Sequence, residues 1–224
     1  MKRTIRWPRL AAFTMAAILP AFACSAELPA ELPQRSPGLW SITQESTVQD
    51  GARLLETQKI WHVCLDAKAD RALHQWEIRQ QQVDAARHDM KCESPRSDFA
   101  GDTMSWTMQC SPSPKTNGNL QSTEIRHTTS FVSNTETQSQ SAQVDPHASS
   151  TEQPRYASRM QRLDSCKGTI KPNDLKPGEM MFMHWRLNGE ETLKARERQN
   201  LYREIDLLSQ EASARANQGT PSKP

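Results

Sequence analysis

The sequence predicts a mainly β protein of the α+β class: an antiparallel β meander or half-barrel with one inserted helix, two disulfides and a C-terminal amphipathic helix. Three observations carry this prediction. Apolar and polar residues alternate with period two in several segments, which is the pattern of half-buried strands. One segment between two such runs has helical spacing, and four cysteines remain after a leader-like N-terminus.

Residues 1–26 are predicted to be a secretory signal peptide. A basic stretch, Met1 to Arg9, precedes an uncharged apolar run, and small residues follow before Glu27. The apolar run is too short to span a bilayer, and no later window is long enough, so no transmembrane span is expected in the mature chain. We therefore expect export to the periplasm. An alternative is lipidation at Cys24, which would anchor the protein to a membrane.

Composition limits both the core and the choice of partner. Four of the 28 basic residues lie in the leader, so the rest of the chain carries 24 basic against 26 acidic residues. This balance argues against a nucleic-acid partner bound through a basic surface. Leu, Ile, Val and Phe make up about 15% of the residues after Ala26, below the roughly 20% typical of globular domains. A core this thin is expected to need covalent links.

Residues 27–37 are proline-rich and are predicted to form an extended lead-in to a disulfide-linked β domain, residues 38–166. The alternating run 38–43 predicts the first strand, and Asp50-Gly51 is a typical hairpin signal. Residues 55–65 predict the second strand. Asp66 is a suitable N-cap for a helix that runs to about Arg87, with apolar residues at helical spacing.

Four cysteines in an oxidising compartment indicate two disulfides. Cys92 and Cys110 flank a turn region, and Cys110 ends an alternating strand that runs back towards Cys92. Facing residues of a hairpin lie at a separation that a disulfide can span. This favours Cys92–Cys110 and leaves Cys64–Cys166. A zinc site is disfavoured because no two cysteines are closely spaced.

The rest of the chain is predicted from turns and composition. Residues 120–143 are rich in Thr, Ser and Gln and are predicted to form a polar hairpin, followed by a mobile loop at 145–154 and a last strand at 156–163. Residues 167–189 are predicted to be a linker with a methionine-rich patch. Residues 190–217 are predicted to form the amphipathic helix, and 218–224 a disordered tail.

Several short motifs resemble one known family. The sequence Ser36-Pro37-Gly38-Leu39-Trp40, the triplet Val63-Cys64-Leu65, the hairpin cysteine pair and a terminal Asp164-Ser165-Cys166 are similar to the secreted Gram-negative bacterial domain of unknown function thirty-six-seventeen. The resemblance covers about residues 32–166. It implies an exported, cysteine-linked β domain. The family brings no established activity, so it implies no catalytic residue.

No catalytic constellation is found in the sequence, so we expect no enzyme and no cofactor. The six histidines are dispersed, and phosphate-loop, zinc-protease and serine-hydrolase motifs are absent from the sequence. Trp40, Trp61 and Trp106 lie on predicted strands and are expected to be core anchors. Their alternative role is to line a ligand pocket.

The cluster from Met180 to His184 offers one metal hypothesis. Thioether and imidazole ligands suit Cu(I), which makes Met181, Met183 and His184 candidate metal ligands. In a regular strand Met181 and Met183 share a face while His184 points away, and methionine also fills cores and interfaces.

The sequence therefore predicts an exported, non-catalytic binding or envelope-associated module, with a periplasmic Cu(I)-binding protein as the alternative. The expected partner is an unknown protein or a small apolar ligand. The 190–217 helix is expected to dock on its own domain, on a partner or on a second copy of the chain, which would allow self-association.

Overall fold

The computed structural model describes residues 32–50, 53–113, 121–144, 155–166, 174–193 and 197–217. The predicted signal peptide with Cys24, the mobile loop at 145–154 and the tail at 218–224 lie outside these residues. Of the lead-in, residues 32–37 are described and form neither helix nor strand.

Eleven strands form one open antiparallel sheet within the described ranges, which confirms the mainly β prediction. The strands and helices, in chain order, are β1 (Gly38–Asp50), β2 (Arg53–Leu65), α1 (Ala67–Arg87), β3 (Met90–Cys92), β4 (Arg96–Ala100), β5 (Thr103–Pro112), β6 (Thr123–Ser133), β7 (Glu136–Val144), β8 (Arg155–Asp164), β9 (Glu179–Leu187), β10 (Glu190–Leu193), β11 (Glu197–Asn200) and α2 (Leu201–Asn217). The strand order is β10-β9-β2-β1-β8-β7-β6-β5-β3, with β4 on β5 and β11 on β9. The run from β5 to β8 is the predicted meander.

The inserted helix α1 begins where the sequence predicts. The Asp66 side chain accepts a hydrogen bond from the backbone N–H of Ala69 at 2.7 Å, which satisfies one of the free donors of the first turn. The helix packs on one face of the sheet, which we call the helix face. The other side is called the outer face.

Two apolar clusters fill the helix face. One combines Trp40, Val63, Met160 and other residues of β1, β2, β8 and β9 with Leu73 of α1. The second combines residues of β5 and β6, including Trp106, with Ile78 of α1. Strand β7, which lies between β6 and β8 in the sheet, carries Thr and Ser on this face, so a polar strip separates the two clusters.

Both cysteine pairs are bonded in the pattern favoured by the sequence. Cys64 and Cys166 have a Cα separation of 5.5 Å. Cys92 and Cys110 face each other in the β3–β5 ladder, as the hairpin argument requires. Leu39, Leu175 and Met181 pack around the Cys64–Cys166 bridge in a third apolar cluster on the outer face.

The prediction that residues 167–189 form a linker is wrong for the second half of the segment. That half contains strand β9, which pairs with β2 from Thr57 to Val63. A continuous apolar run fits a strand that is buried on both faces as well as it fits a patch. The turn Asn188-Gly189, with φ of 49° and 82°, connects β9 to β10. Asn-Gly is a strong hairpin signal because both positions need positive φ.

The predicted helix 190–217 begins only at Leu201, since residues 190–193 and 197–200 are strands β10 and β11. The Asn200 carboxamide oxygen accepts hydrogen bonds from the N–H groups of Tyr202 and Arg203, which fixes the start of α2. Helix α2 docks on its own domain, because Leu201 is fully buried in the first apolar cluster and Glu211 forms an ion pair with Arg87 of α1.

Candidate ligand-binding site

A cavity of about 240 Å³ lies between α1 and the polar strip of the helix face. Its size is below the roughly 300–1,000 Å³ of pockets for drug-sized ligands, so it suits a compact molecule. The helix contributes one wall through Trp76, Glu77, Gln80, Gln81 and Asp84. The sheet contributes the other wall, with the residues Gln44, Ser46, Thr57, Lys59, Trp61, Trp106, His127, Ser139, Ser141, Tyr156, Ala157 and Ser158.

The sheet wall is polar because alternate residues of β6 and β7 present hydroxyls and an imidazole to the helix. His127 is buried, and its ring stacks on Trp106 with centroids 4.7 Å apart. Its Nδ1 lies 2.6 Å from the Ser141 hydroxyl and its Nε2 lies 2.8 Å from the Thr129 hydroxyl. The Ser139 hydroxyl is bonded to that of Ser158 at 2.7 Å. The wall is therefore held in place by its own hydrogen bonds.

A buried ionic cluster anchors the helix wall. The Arg35 guanidinium donates from Nη1 to Asp70 at 2.5 Å, and the same nitrogen lies 3.2 Å from Nε2 of His74. Because arginine only donates, His74 Nε2 acts as the acceptor and the ring proton sits on Nδ1. That Nδ1 faces the Glu77 carboxylate at 3.5 Å. The cluster thus runs from the lead-in to the cavity.

Two titratable side chains of the cavity, Glu77 and His127, have strongly shifted pKa values. Burial acts to raise the pKa of Glu77, but the hydrogen bond and charge of His74, with the charges of His127 and Arg35, lower it to about 2. Burial lowers the pKa of His127 to about 4, against an opposing effect of Glu77. At neutral pH the cavity therefore holds an ionised carboxylate beside an uncharged imidazole.

The cavity has two ends with separate charges. The charges of His74, His127 and Arg35 act on Glu77, whereas those of Arg87, Lys59, His88 and Glu211 act on Asp84. Asp84 is already paired with Arg87 at 3.1 Å. Lys59 lies over the ring of Trp185 at 5.7 Å. At the Asp84 end, Arg87 forms an ion pair with the carboxylate. At the Glu77 end, no arginine or lysine among the described residues forms an ion pair with the carboxylate.

Of the two roles expected for the tryptophans, Trp40 has the core role, and Trp61 and Trp106 have both the core and the pocket-lining role. Trp40 is a core residue, fully buried, with its indole N–H bonded to the Ser36 carbonyl. Trp61 and Trp106 line the cavity while also packing in the core. Trp76 of α1 meets Trp61 edge-on, with ring centroids 5.7 Å apart. Its buried indole N–H has no hydrogen-bond partner among the described residues.

The proposed Cu(I) ligands lie on one face of β9, against expectation. Phe182 contacts Trp61 on the helix face, and Trp185 pairs with Lys59 on the same face, so the two residues between them lie on the outer face. A β-bulge opposite Ile60 and Trp61 produces this shift. Met183 packs with Met181 at the Cys64–Cys166 bridge, and His184 faces Glu191 at 3.3 Å. His184 therefore does not point away.

Sequence reasoning missed His62. It is paired with Met181 across the β2–β9 ladder, and its buried Nδ1 has no hydrogen-bond partner among the described residues. Burial lowers the pKa of its ring. Among the described His, Cys, Asp and Glu side chains, no group of three or more is arranged to hold a metal ion, so any metal here would need the methionine sulfurs.

The cavity residues Glu77, Gln80 and Gln81 were also missed, because polar residues on a helix are ordinarily solvent-facing. A signal existed in β6 and β7. The buried positions alternate with period two, and most of them are polar: Thr123, Ile125, His127, Thr129 and Phe131 in β6, and Thr137, Ser139 and Ser141 in β7. A helix facing such strands requires polar residues of its own.

These features define a disulfide-linked, mainly β protein in which a helix covers a small polar cavity. No helix in the described part of the chain is long and apolar enough to cross a membrane. The chain belongs to the family described as Protein of unknown function (DUF3617), whose model matches residues 35–166. No curated protein and no solved structure matches the chain.

Proposed function

We propose that this protein is a non-catalytic module that binds a small polar molecule in the cavity under α1. The observation that carries the proposal is the polar strip across the sheet, which keeps about 240 Å³ open between two apolar clusters. Protein interiors are ordinarily close-packed, and buried polar groups are ordinarily paired. The lining supports a polar ligand better than the apolar one expected from the sequence.

Binding is favoured over catalysis by the state of His127. It contacts the Ser141 hydroxyl as the base of a serine nucleophile would, but a pKa of about 4 makes it a weak base at neutral pH. Its other nitrogen meets the Thr129 hydroxyl rather than a carboxylate. In an activated serine site, a third, acidic group ordinarily orients the base.

A cavity-filling variant tests the proposal. Gln81→Trp should occupy the space from the helix wall, whereas Gln75→Trp places the same ring on the exposed side of α1. Thermal-shift and saturation-transfer NMR measurements would be made with a panel of amines, amino acids, monosaccharides and carboxylic acids. We expect a compound that stabilises the wild type and Gln75→Trp but not Gln81→Trp. Equal effects on all three proteins, or none on any, would refute the proposal.

Export to the periplasm, with association to the envelope as its lipid-anchored form, is part of the same proposal. The leader-like residues 1–26 and two bridges that need an oxidising compartment support it. The intact mass of the protein purified from its cell envelope tests it. Export predicts a start near Glu27, or at an acylated Cys24, and a gain of four hydrogens on reduction. An uncut N-terminus with reduced cysteines would contradict it.

Cu(I) binding on the outer face is a second candidate, favoured by the bulge that brings Met181, Met183 and His184 to the same face as His62. Cu(I) would be titrated in the presence of ascorbate, which leaves disulfides intact. Binding should be lost in Met181→Leu/Met183→Leu and kept in Met180→Leu, which alters the opposite face of the same strand. Affinity weaker than micromolar, or the same affinity in the double variant, would remove this candidate.

A further inference from the structure

The Glu77 carboxylate is the acidic group of the buried cluster that lines the cavity. Arg35 is matched by Asp70, with both side chains at most 5% exposed. His74 accepts from Arg35 through Nε2, and its Nδ1 faces the Glu77 carboxylate at 3.5 Å. His127, the other imidazole near Glu77, has a pKa of about 4 and is uncharged at neutral pH. Among the described residues no arginine or lysine forms an ion pair with Glu77, so a ligand of opposite charge would supply its counter-charge in the cavity.

The walls around this carboxylate suit a positive charge. The rings of Trp61, Trp76, Trp106 and Tyr156 line the same cavity, and aromatic faces attract cations, most strongly when the site is desolvated. The hydroxyls of Ser139 and Ser158 offer acceptor lone pairs in addition to their mutual hydrogen bond. Lys59 also lines the cavity, but its ammonium lies over the Trp185 ring, 5.7 Å from the centroid, and acts on Asp84.

We propose that the cavity binds a small organic ammonium ion, with its positive group against Glu77 and its carbon atoms against the tryptophan rings. This inference rests on the proposed function and names the chemical class of its ligand. The volume of about 240 Å³ limits the ion to a compact one.

Paired probes of equal shape test the charge directly. Choline and its neutral isostere 3,3-dimethyl-1-butanol would be titrated calorimetrically into the purified protein, with methylammonium and tetramethylammonium as smaller cations. We expect at least one ammonium ion to bind, and choline to bind at least tenfold more tightly than its isostere. The cations should also lose affinity below about pH 4, where His127 gains a charge that Glu77, His74 and Arg35 all face.

Two variants test whether ammonium binding depends on Glu77. Glu77→Gln should weaken ammonium binding at least tenfold, while Glu45→Gln, an exposed carboxylate on the outer face, should leave it unchanged. Equal binding of choline and its isostere, or unchanged binding in Glu77→Gln, would overturn the inference. If no ammonium ion binds but a neutral compound from the panel does so in a Gln81→Trp-sensitive way, the cavity retains its function and the inference fails. If nothing binds, both fail.

Discussion

At the scale of single residues, the buried His127 of the cavity wall makes the free energy of unfolding depend on pH. Its ring is 5% exposed and both nitrogens meet hydroxyls, so the folded state resists its protonation. The unfolded chain takes up that proton near pH 6.5, whereas the folded chain does so near pH 4. Between these values the unfolded state binds more protons, and the free energy of unfolding falls as the pH falls.

We predict that acidification from pH 6.5 to 4 costs about 3 kcal/mol through this one group. The variant His127→Gln keeps the capacity to bond to both hydroxyls but does not titrate. Urea denaturation as a function of pH should show a flatter profile for the variant in this window. Below pH 4.5 both proteins should still lose stability, because Glu77 keeps its charge down to about pH 2 only in the folded state. Parallel profiles throughout would contradict the assignment.

The ion pair of Arg35 and Asp70 gives a second prediction at this scale. Asp70→Asn removes the charge that compensates a fully buried guanidinium, and losing one partner of a buried pair costs roughly 3–5 kcal/mol. The control Glu124→Gln removes one partner of an exposed pair with Arg126, whose loss should cost less than about 1 kcal/mol. Chemical denaturation at pH 7 measures both. Similar costs for the two variants would show that the buried pair is not an anchor.

At the scale of elements, α2 is held by a close approach to the turn before β9. The Gly178 carbonyl accepts from the Leu201 N–H at 2.8 Å, and the Tyr202 ring lies where a side chain at position 178 would begin. The residue also has φ of 81°, which favours glycine. Position 178 therefore couples the strand β9 to the last helix.

We predict that Gly178→Ala is more destabilising than Gly189→Ala. Both positions have positive φ and share a backbone penalty of roughly 1–2 kcal/mol. At Gly189 a Cβ would meet no atom within 4 Å, whereas at Gly178 it would collide with the Tyr202 ring. Hydrogen exchange should show faster exchange in α2 for the first variant alone. Equal exchange in the two variants would mean that this contact does not hold the helix.

Elements were predictable from the sequence where the signal is local. The Asp66 cap, the helix spacing and the Cys92–Cys110 register depend on neighbours in the chain, and the structure agrees with them. The strand β9 depends on pairing with residues more than 100 positions away, and its bulge is a mismatch between two strands. Neither the pairing nor the bulge produces a periodic pattern within a single segment of the sequence. The cavity likewise arises only when Glu77 and His127 are brought together by the fold.

At the scale of the whole molecule, the disulfides support a chain with few large apolar residues. The Cys64–Cys166 bridge spans 102 positions and joins the end of β2 to the end of the meander. The Cys92–Cys110 bridge spans 18 positions within one ladder. In the loop-entropy account the longer loop stabilises more, about 5 kcal/mol against about 3 kcal/mol.

We therefore predict that Cys64→Ala/Cys166→Ala lowers the free energy of unfolding more than Cys92→Ala/Cys110→Ala. Alanine avoids placing a hydroxyl in either apolar cluster. Non-reducing urea denaturation of the two double variants measures the difference directly. The opposite order would indicate that local packing of each bridge, rather than loop length, decides its contribution.

The central claim, that the helix-covered cavity binds a small ammonium ion, is tested most directly by the indole N–H signals of 15N-labelled protein during a titration with the tightest-binding ammonium ion. The account predicts that the indole signals of Trp61, Trp76 and Trp106 shift with one common saturation curve. Trp40, buried in the core and bonded to Ser36, should stay fixed. Shifts at none of the cavity tryptophans, or equal shifts at Trp40, would contradict the account.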